Sequence, residues 1–140
     1  MRVLHVGAEI YPFVKTGGLA DVIGALPAAQ AAAGTDVRVL LPALPPLAKV
    51  LREAVPVARV QPPWGGMPAE LLLGRLDAPS LAAVPAYLLR HDGLYARPGT
   101  PYGDGSGHAF ADNARRFALL GLAAARLAEG AHDAWQPQVL

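Results

Sequence analysis

The chain has 140 residues, 53% of them hydrophobic and 16% charged, which places it with single globular domains that bury a sizeable core and away from disordered chains. Twelve Lys and Arg against eleven Asp and Glu leave a formal charge of +1, so no overall field recruits nucleic acid or an anionic membrane, and any anion specificity has to be local. The absence of cysteine excludes disulfides, thiolate metal sites and cysteine nucleophiles.

The N-terminus, MRVLHVGAEIYP, meets an acid and a tyrosine too early for a secretory signal, and no apolar run approaches the roughly 18 residues of a membrane span. The sequence reads as soluble and cytoplasmic. Val3, Leu4, Val6 and Ala8 form a short apolar run, the pattern of a strand covered on both faces of a parallel sheet. A loop from Glu9 to Gly17 follows. Then GLADVIGALPAAQAAAG sets Leu19, Val22, Ile23 and Leu26 at helical spacing, with Gly34 as the stop and Pro27 expected to kink or divide the helix. DVRVLLP, Asp36 to Pro42, is a second buried strand, so the chain opens with a βαβ unit and the fold class is α/β.

PALPPLAKVLREA reads as a short broken helix, followed by β-like runs over Val55 to Gln61, Ala69 to Asp77 and Val84 to Arg90. From His91 to His108 runs a loop rich in Gly, Pro, Asp and Tyr, longer than most connections in compact domains. FADNARRFALLGLAAARLAEG is a helix with Phe110, Ala114, Phe117, Leu120, Gly121, Ala124 and Leu127 near one stripe and Gly130 at its end. AWQPQVL starts another buried strand. A strand that stops at Leu140, beside a sheet of three parallel strands, leaves an open edge, and the sequence reads as the N-terminal part of a longer protein.

The candidate chemistry gathers after the first strand. Ligands of parallel α/β sheets bind beyond the carboxyl ends of the strands, where helix N-termini aim backbone N–H groups outward. Lys15-Thr16-Gly17-Gly18 occupies that place: the lysine supplies a mobile charge, and the glycines permit close backbone approach or positive φ. A diphosphate suits this arrangement, and an ordinary βα loop with a solvated lysine accounts for it as well. The loop is longer than the ~2–6 residues typical of such connections, which favours the first reading. Neither G-x-G-x-x-G nor G-x-x-x-x-G-K-[ST] is present.

Asp21 falls in the first turn of the helix, where a carboxylate is favourable whatever its role. Glu9 is placed for a ligand hydroxyl, or is a surface acid. Tyr95, Tyr102, Asp104 and His108 lie in the long loop, either as carbohydrate-binding groups or as parts of a flexible polar segment. Asn113 and Arg116 face the same cleft or an exposed helix surface. His5 reads as structural, and His91 and His132 have no metal-ligand partners at useful spacing.

MRVLHVGAEIYPFVKTGGLADVIGALPAA, DVRVLLPA, LYARPGTPYGD and DNARRFALLGLAA together resemble, in order and spacing, the N-terminal segment of the bacterial glycogen synthases and the related plant starch synthases. The resemblance runs from Met1 almost to Leu140, and KTGGLADV is its most specific part. It implies the Rossmann-like N-terminal lobe (1–140, incomplete) of a GT-B glycosyltransferase, with the C-terminal nucleotide-binding lobe absent. It implies transfer of glucose from ADP-glucose to the 4-hydroxyl at the non-reducing end of an α-1,4-glucan such as glycogen, with retention of configuration and neither metal nor cofactor. Carried over by motif, Lys15 contacts the phosphates and Gly17 and Gly18 admit them, with Asp21, Glu9, Tyr95 and Tyr102 as further cleft residues. The family's other active-site groups, among them a histidine in an HxHDW-like strand end, fall beyond Leu140, so the short chain alone is expected to be inactive. The alternatives are a GT-B transferase using UDP-glucose, or a non-catalytic glucan-binding or regulatory module. The glycine-rich GDGSGH departs from the family's loop and weakens the case for Asp104 and His108.

Overall fold

The computed structural model describes residues 1–140. Strand β1 (Arg2–Val6) leads into helix α1 (Gly18–Ala32), strand β2 (Asp36–Pro42) and a one-turn helix α2 (Pro45–Ala48). Strands β3 (Leu51–Val60), β4 (Ala69–Leu76) and β5 (Pro85–Arg90) follow, then the one-turn α3 (Asp92–Tyr95) and the long α4 (Asn113–Ala128). The strands form one sheet in the order β1-β2-β5-β4-β3. β1, β2 and β5 are parallel, with Val3 opposite Val37 and Val39 opposite Ala86, while β4 runs antiparallel to both β5 and β3. The three parallel strands match the sequence expectation. The hairpin β3–β4 extends them by an antiparallel edge, a common addition to a doubly wound sheet. No helix is long and apolar enough to cross a membrane.

The parallel strands carry the core: Leu4, Val39, Leu40, Leu41, Ala86, Tyr87, Leu88 and Leu89 are almost fully buried. α1 covers one part of the sheet with a different stripe from the one its leucines suggest. Ala20, Ile23 and Pro27 are buried, whereas Leu19, Val22 and Leu26 are about half exposed. The helix is apolar all round, so periodicity alone cannot select the buried face. Nor does Pro27 divide it. The helix passes unbroken through the proline, whose ring lies in the buried stripe, so tertiary packing outweighs the lost backbone hydrogen bond.

The broken helix expected through Ala54 ends at Ala48, and β3 begins already at Leu51. The start of β3 is irregular, with a register shift between Arg52 and Val55 and a positive φ at Glu53. Gly74 of β4 accommodates it, since a Cβ there would lie 2.5 Å from the Arg52 carbonyl oxygen. α4 likewise buries Arg116, Leu119, Leu120, Ala123, Ala124 and Leu127, leaving Phe117 and Gly121 outward.

After α4 the chain folds back along the outer edge of β1. Gln138 N–H donates to the Arg2 carbonyl, Leu4 N–H donates to the Val139 carbonyl, and Val139 makes a parallel bridge to Val3. The final segment pairs as a strand would, yet Val139 and Leu140 are exposed rather than buried. Trp135 anchors it: the indole N–H donates to Asp36 Oδ2 at 2.8 Å, and the Arg38 guanidinium lies 4.3 Å from the ring centroid. His132 accepts or donates at Tyr87 Oη, 2.7 Å away, and His5 pairs with Gln30. These two histidines are structural.

Candidate functional site at the carboxyl end of the sheet

The loop between β1 and α1 is a compact turn. Ile10 and Val14 are buried and joined by reciprocal backbone hydrogen bonds, and Tyr11 N–H donates to the Ala20 carbonyl in α1. Gly24 permits this approach, because a Cβ there would stand 2.9 Å from the Tyr11 carbonyl oxygen. The turn delivers Lys15 to the start of α1. Its ammonium makes a bidentate ion pair with Asp21, at 2.7 and 2.5 Å, and lies 5.9 Å from the Tyr11 ring centroid. Both partners are about half exposed, so the pair itself adds little stability.

Glu9 sits at the centre of the arrangement and is 2% exposed. One carboxylate oxygen accepts from Thr16 Oγ1 (2.6 Å) and Tyr102 Oη (2.5 Å), the other from the N–H groups of Thr16 (2.7 Å) and Gly17 (3.3 Å). Burial pushes this carboxyl up, but the hydrogen bonds from Thr16, Tyr102 and Gly17 outweigh it and hold Glu9 below the usual carboxylate range. Burial first, and then the hydrogen bond to Glu9 and its negative charge, push the Tyr102 phenol up to about 12. Rather than reaching for a ligand hydroxyl, Glu9 is saturated by protein donors and ties the first loop to the second. Tyr102, stacked on Phe117 at 5.8 Å, is its partner from the long loop.

Tyr95 is not in the cleft. It is 2% exposed, and its hydroxyl donates to the Arg116 carbonyl at 2.7 Å. The leucine-tyrosine pair of α3 turns inward because Leu94 and Tyr95 are the two residues that can fill the core beneath the loop. Arg116 is not on an exposed face either; it is 2% exposed and donates to the carbonyls of Leu94 (2.8 Å) and Pro101 (2.7 Å) and to Asn113 Oδ1 (2.8 Å). Asn113 in turn donates to the Tyr102 carbonyl. With Arg97 bidentate on Asp112, these bonds make the long loop a fixed wall rather than a floppy segment. Asp104 and His108 satisfy each other through Ser106 in an exposed turn.

The sequence reading set Arg116 in the cleft or on an exposed face and missed its burial, although a signal was present: it lies three and four residues before Leu119 and Leu120, on the buried stripe. Thr16, which gives Glu9 two hydrogen bonds, carried no signal beyond its place in the motif.

Gly17 and Gly18 have no positive φ, and no atom lies within 4 Å of where a Cβ would stand on either. Neither packing nor backbone strain requires glycine at these positions, and the space above them is open at a helix N-terminus beside a lysine. The model of the starch synthase catalytic domain matches residues 2–140. The chain belongs to the starch synthase catalytic domain family. Glycogen synthases of Variovorax paradoxus (strain S110) and Erwinia tasmaniensis are 52% and 50% identical to it, each covering all of this chain, which spans 28% of the length of either relative. The catalytic domain of Starch Synthase IV from Arabidopsis thaliana, bound to ADP and acarbose, superimposes with a TM-score of 0.72 at 24% identity over 99% of this chain and 27% of that one. The fold is thus that of the corresponding part of a GT-B starch synthase catalytic domain.

Open space, rather than packing or backbone strain, is what glycine leaves at positions 17 and 18. Gly18→Ala, in the first turn of α1, is expected to leave thermal stability unchanged or slightly raised, since alanine is the better helix residue by up to about 1 kcal/mol, whereas Gly17→Ala, at the N-cap where glycine is preferred, is expected to lower it slightly. In the full-length protein they are expected to weaken binding of an anionic ligand at this site at least tenfold, read by isothermal titration with ADP. Alanines that destabilise the chain but leave ADP binding intact would make these glycines structural.

Proposed function

We propose that this chain is the N-terminal lobe of a retaining, ADP-glucose-dependent glucosyltransferase that extends α-1,4-glucan chains in glycogen synthesis in the cytoplasm. The observation that carries the reading is the Lys15 ammonium tied to Asp21 in the first turn of α1, the helix whose start at Gly17 and Gly18 is uncovered. In the reaction the bond from glucose C1 to the diphosphate breaks, a bond from C1 to the acceptor 4-oxygen forms, the acceptor's proton is lost, and ADP leaves. Negative charge grows on the departing diphosphate, and cations and oriented N–H donors that meet it lower the barrier. Lys15 supplies the charge and the first turn of α1 supplies donors, with the dipole of α1 adding to both.

Glu9 and Tyr102 act on this site by holding the Lys15–Gly18 segment in place, and Asp21 acts by holding Lys15. The nucleoside is held by a second, C-terminal Rossmann-like lobe across the cleft, so the catalytic arrangement is complete only in the whole protein. The names of the 50–52% identical relatives support the glycogen product, and the ADP and acarbose in the Arabidopsis structure suit a nucleotide-sugar donor and a glucan acceptor.

The test is donor turnover by the full-length protein with Lys15→Gln. Wild type is expected to use ADP-glucose in preference to UDP-glucose, and the variant to lose roughly a hundredfold in kcat/KM for ADP-glucose, the scale of removing one transition-state charge partner. Unchanged kcat and KM in Lys15→Gln would show that the lysine has no part in donor chemistry.

A further inference from the structure

The end of the chain is held by a side-chain cluster toward the amino-terminal ends of β2 and β5, away from the Lys15 loop. Arg38, inside β2, forms no ion pair with a carboxylate, and Asp36 of the same strand accepts from the Trp135 indole N–H instead. The Arg38 guanidinium lies over two rings, 5.6 Å from the Tyr87 centroid and 4.3 Å from that of Trp135. Its Nη1–H donates to Tyr87 Oη at 2.8 Å, and its buried Nε has no partner. A cation without a counter-ion thus sits among aromatic faces, where a second positive charge is costly.

The positions of the protons follow. A guanidinium can only donate, so Tyr87 Oη accepts from Arg38. Tyr87 is fully buried, and its hydroxyl has one further partner, His132 Nδ1 at 2.7 Å, with the two rings edge to face at 5.8 Å. The phenolic proton therefore goes to Nδ1, and His132 carries its own proton on Nε2. Donation runs in one direction, from Arg38 through Tyr87 to a neutral imidazole.

Protonating Nδ1 breaks the last link. The Tyr87 oxygen then meets two donors, its own proton has no acceptor, and a second cation stands across that oxygen from Arg38. Asp133, next along the chain, is the acid that favours the charged ring, but burial and the Arg38 charge outweigh it and hold His132 below its ordinary value of 6.5. The other charged groups on the neighbouring elements are engaged elsewhere: Arg2 of β1 with the Gln136 carbonyl, Asp36 of β2 with Trp135, and Arg126 of α4 with Glu129.

We propose that His132 is a pH-sensitive latch: neutral, it holds the segment from Ala131 to Leu140 against the sheet through Tyr87 and Arg38, and protonated, it lets that segment go. The bonds at stake are those the segment makes with β1, namely Gln138 N–H and Val139 N–H to the Arg2 carbonyl and Leu4 N–H to the Val139 carbonyl. Because His132 takes up its proton less readily in the folded chain than in the unfolded one, its stabilisation is complete above about pH 6.5 and is lost as the pH falls through the folded value. That window opens well above the one set by Glu9, whose ordinary value is 4.5. The latch does not depend on what the Lys15 site binds.

The experiment uses the full chain. Long-range proton–nitrogen NMR reads the tautomer and titration of His132, and amide hydrogen exchange, corrected for the intrinsic effect of pH, reads the segment. The Nε2–H tautomer is expected at neutral pH, and the protection of the Leu4, Gln138 and Val139 amides is expected to fall severalfold between about pH 7 and pH 5. His132→Gln keeps an acceptor for the Tyr87 hydroxyl and cannot titrate, so its protection is expected to stay level over the same range. Arg38→Met removes the facing cation and is expected to let His132 take up its proton at higher pH than in wild type. An Nδ1–H tautomer, or a His132 that titrates at or above its ordinary value, overturns the latch. So does an equal loss of protection in His132→Gln, and that result decides the matter even if Arg38→Met does not fold.

Discussion

Replacing Arg116 by methionine is expected to lower the unfolding free energy of the chain by about 3 kcal/mol and to loosen residues 91–112 before anything else. The guanidinium is buried and gives hydrogen bonds to two backbone carbonyls of the long loop and to Asn113. Methionine preserves much of the volume and removes the cost of burying a charge, but it leaves those three oxygens without a donor. Each unsatisfied buried acceptor costs about 1–3 kcal/mol, partly offset by the relief of desolvation. The guanidinium also lies 4.5 Å from the Phe110 ring centroid, a contact methionine replaces only in part. Urea denaturation reads the first effect and amide hydrogen exchange the second. Uniform exchange across the chain, with residues 91–112 no faster than the rest, would mean that Arg116 is not the loop's anchor.

The second large effect is at Glu9. Glu9→Ala is expected to cost about 3 kcal/mol, because four hydrogen bonds to a carboxylate are lost together and such bonds contribute about 1.5–3 kcal/mol singly without being additive. Glu9→Gln is expected to cost about half as much, since the amide can turn its NH₂ toward the hydroxyls of Thr16 and Tyr102 and keep its oxygen for the backbone donors. The carboxyl is held below its ordinary value of 4.5 in the folded chain, so its contribution is fully present above about pH 4.5. It is lost as the pH falls from there through the folded value, because the unfolded chain then binds the proton more readily. Denaturation midpoints compared at pH 7 and pH 4 should fall further for wild type than for Glu9→Gln. Parallel pH profiles for the two proteins would remove Glu9 from the acid response.

The parallel half of the sheet was legible because its strands are largely buried and read as nearly continuous apolar runs, Val39 to Leu41 most clearly. The second half of β3 was legible as a β-like run from Val55, but its start was not, because Arg52, Glu53 and Ala54 are exposed at a sheet edge, and nothing in Leu51-Arg52-Glu53-Ala54 distinguishes a solvent-facing strand from a helix end. Pro27 misled for a related reason: the penalty for a mid-helix proline is local, and the packing that overcomes it is not visible in the local sequence. The placement of Lys15–Gly18 at the start of α1 was legible by position and pattern. What Glu9, Tyr95 and Arg116 do was not, because each is decided by a partner far away in sequence: Tyr102 for Glu9, Arg116 for Tyr95, and the Leu94 and Pro101 carbonyls for Arg116.

The ion pair between Lys15 and Asp21 bears on the entropy that anion capture at the proposed site would cost. A lysine free in solvent loses up to about 2 kcal/mol of rotamer freedom when a ligand immobilises it. Here the carboxylate in the first turn of α1 already holds the ammonium at contact distance, with both partners about half exposed. An exposed pair of this kind is worth at most about 1 kcal/mol, so an anion bound as proposed would meet a side chain already confined and restrained by a bond weak enough to exchange.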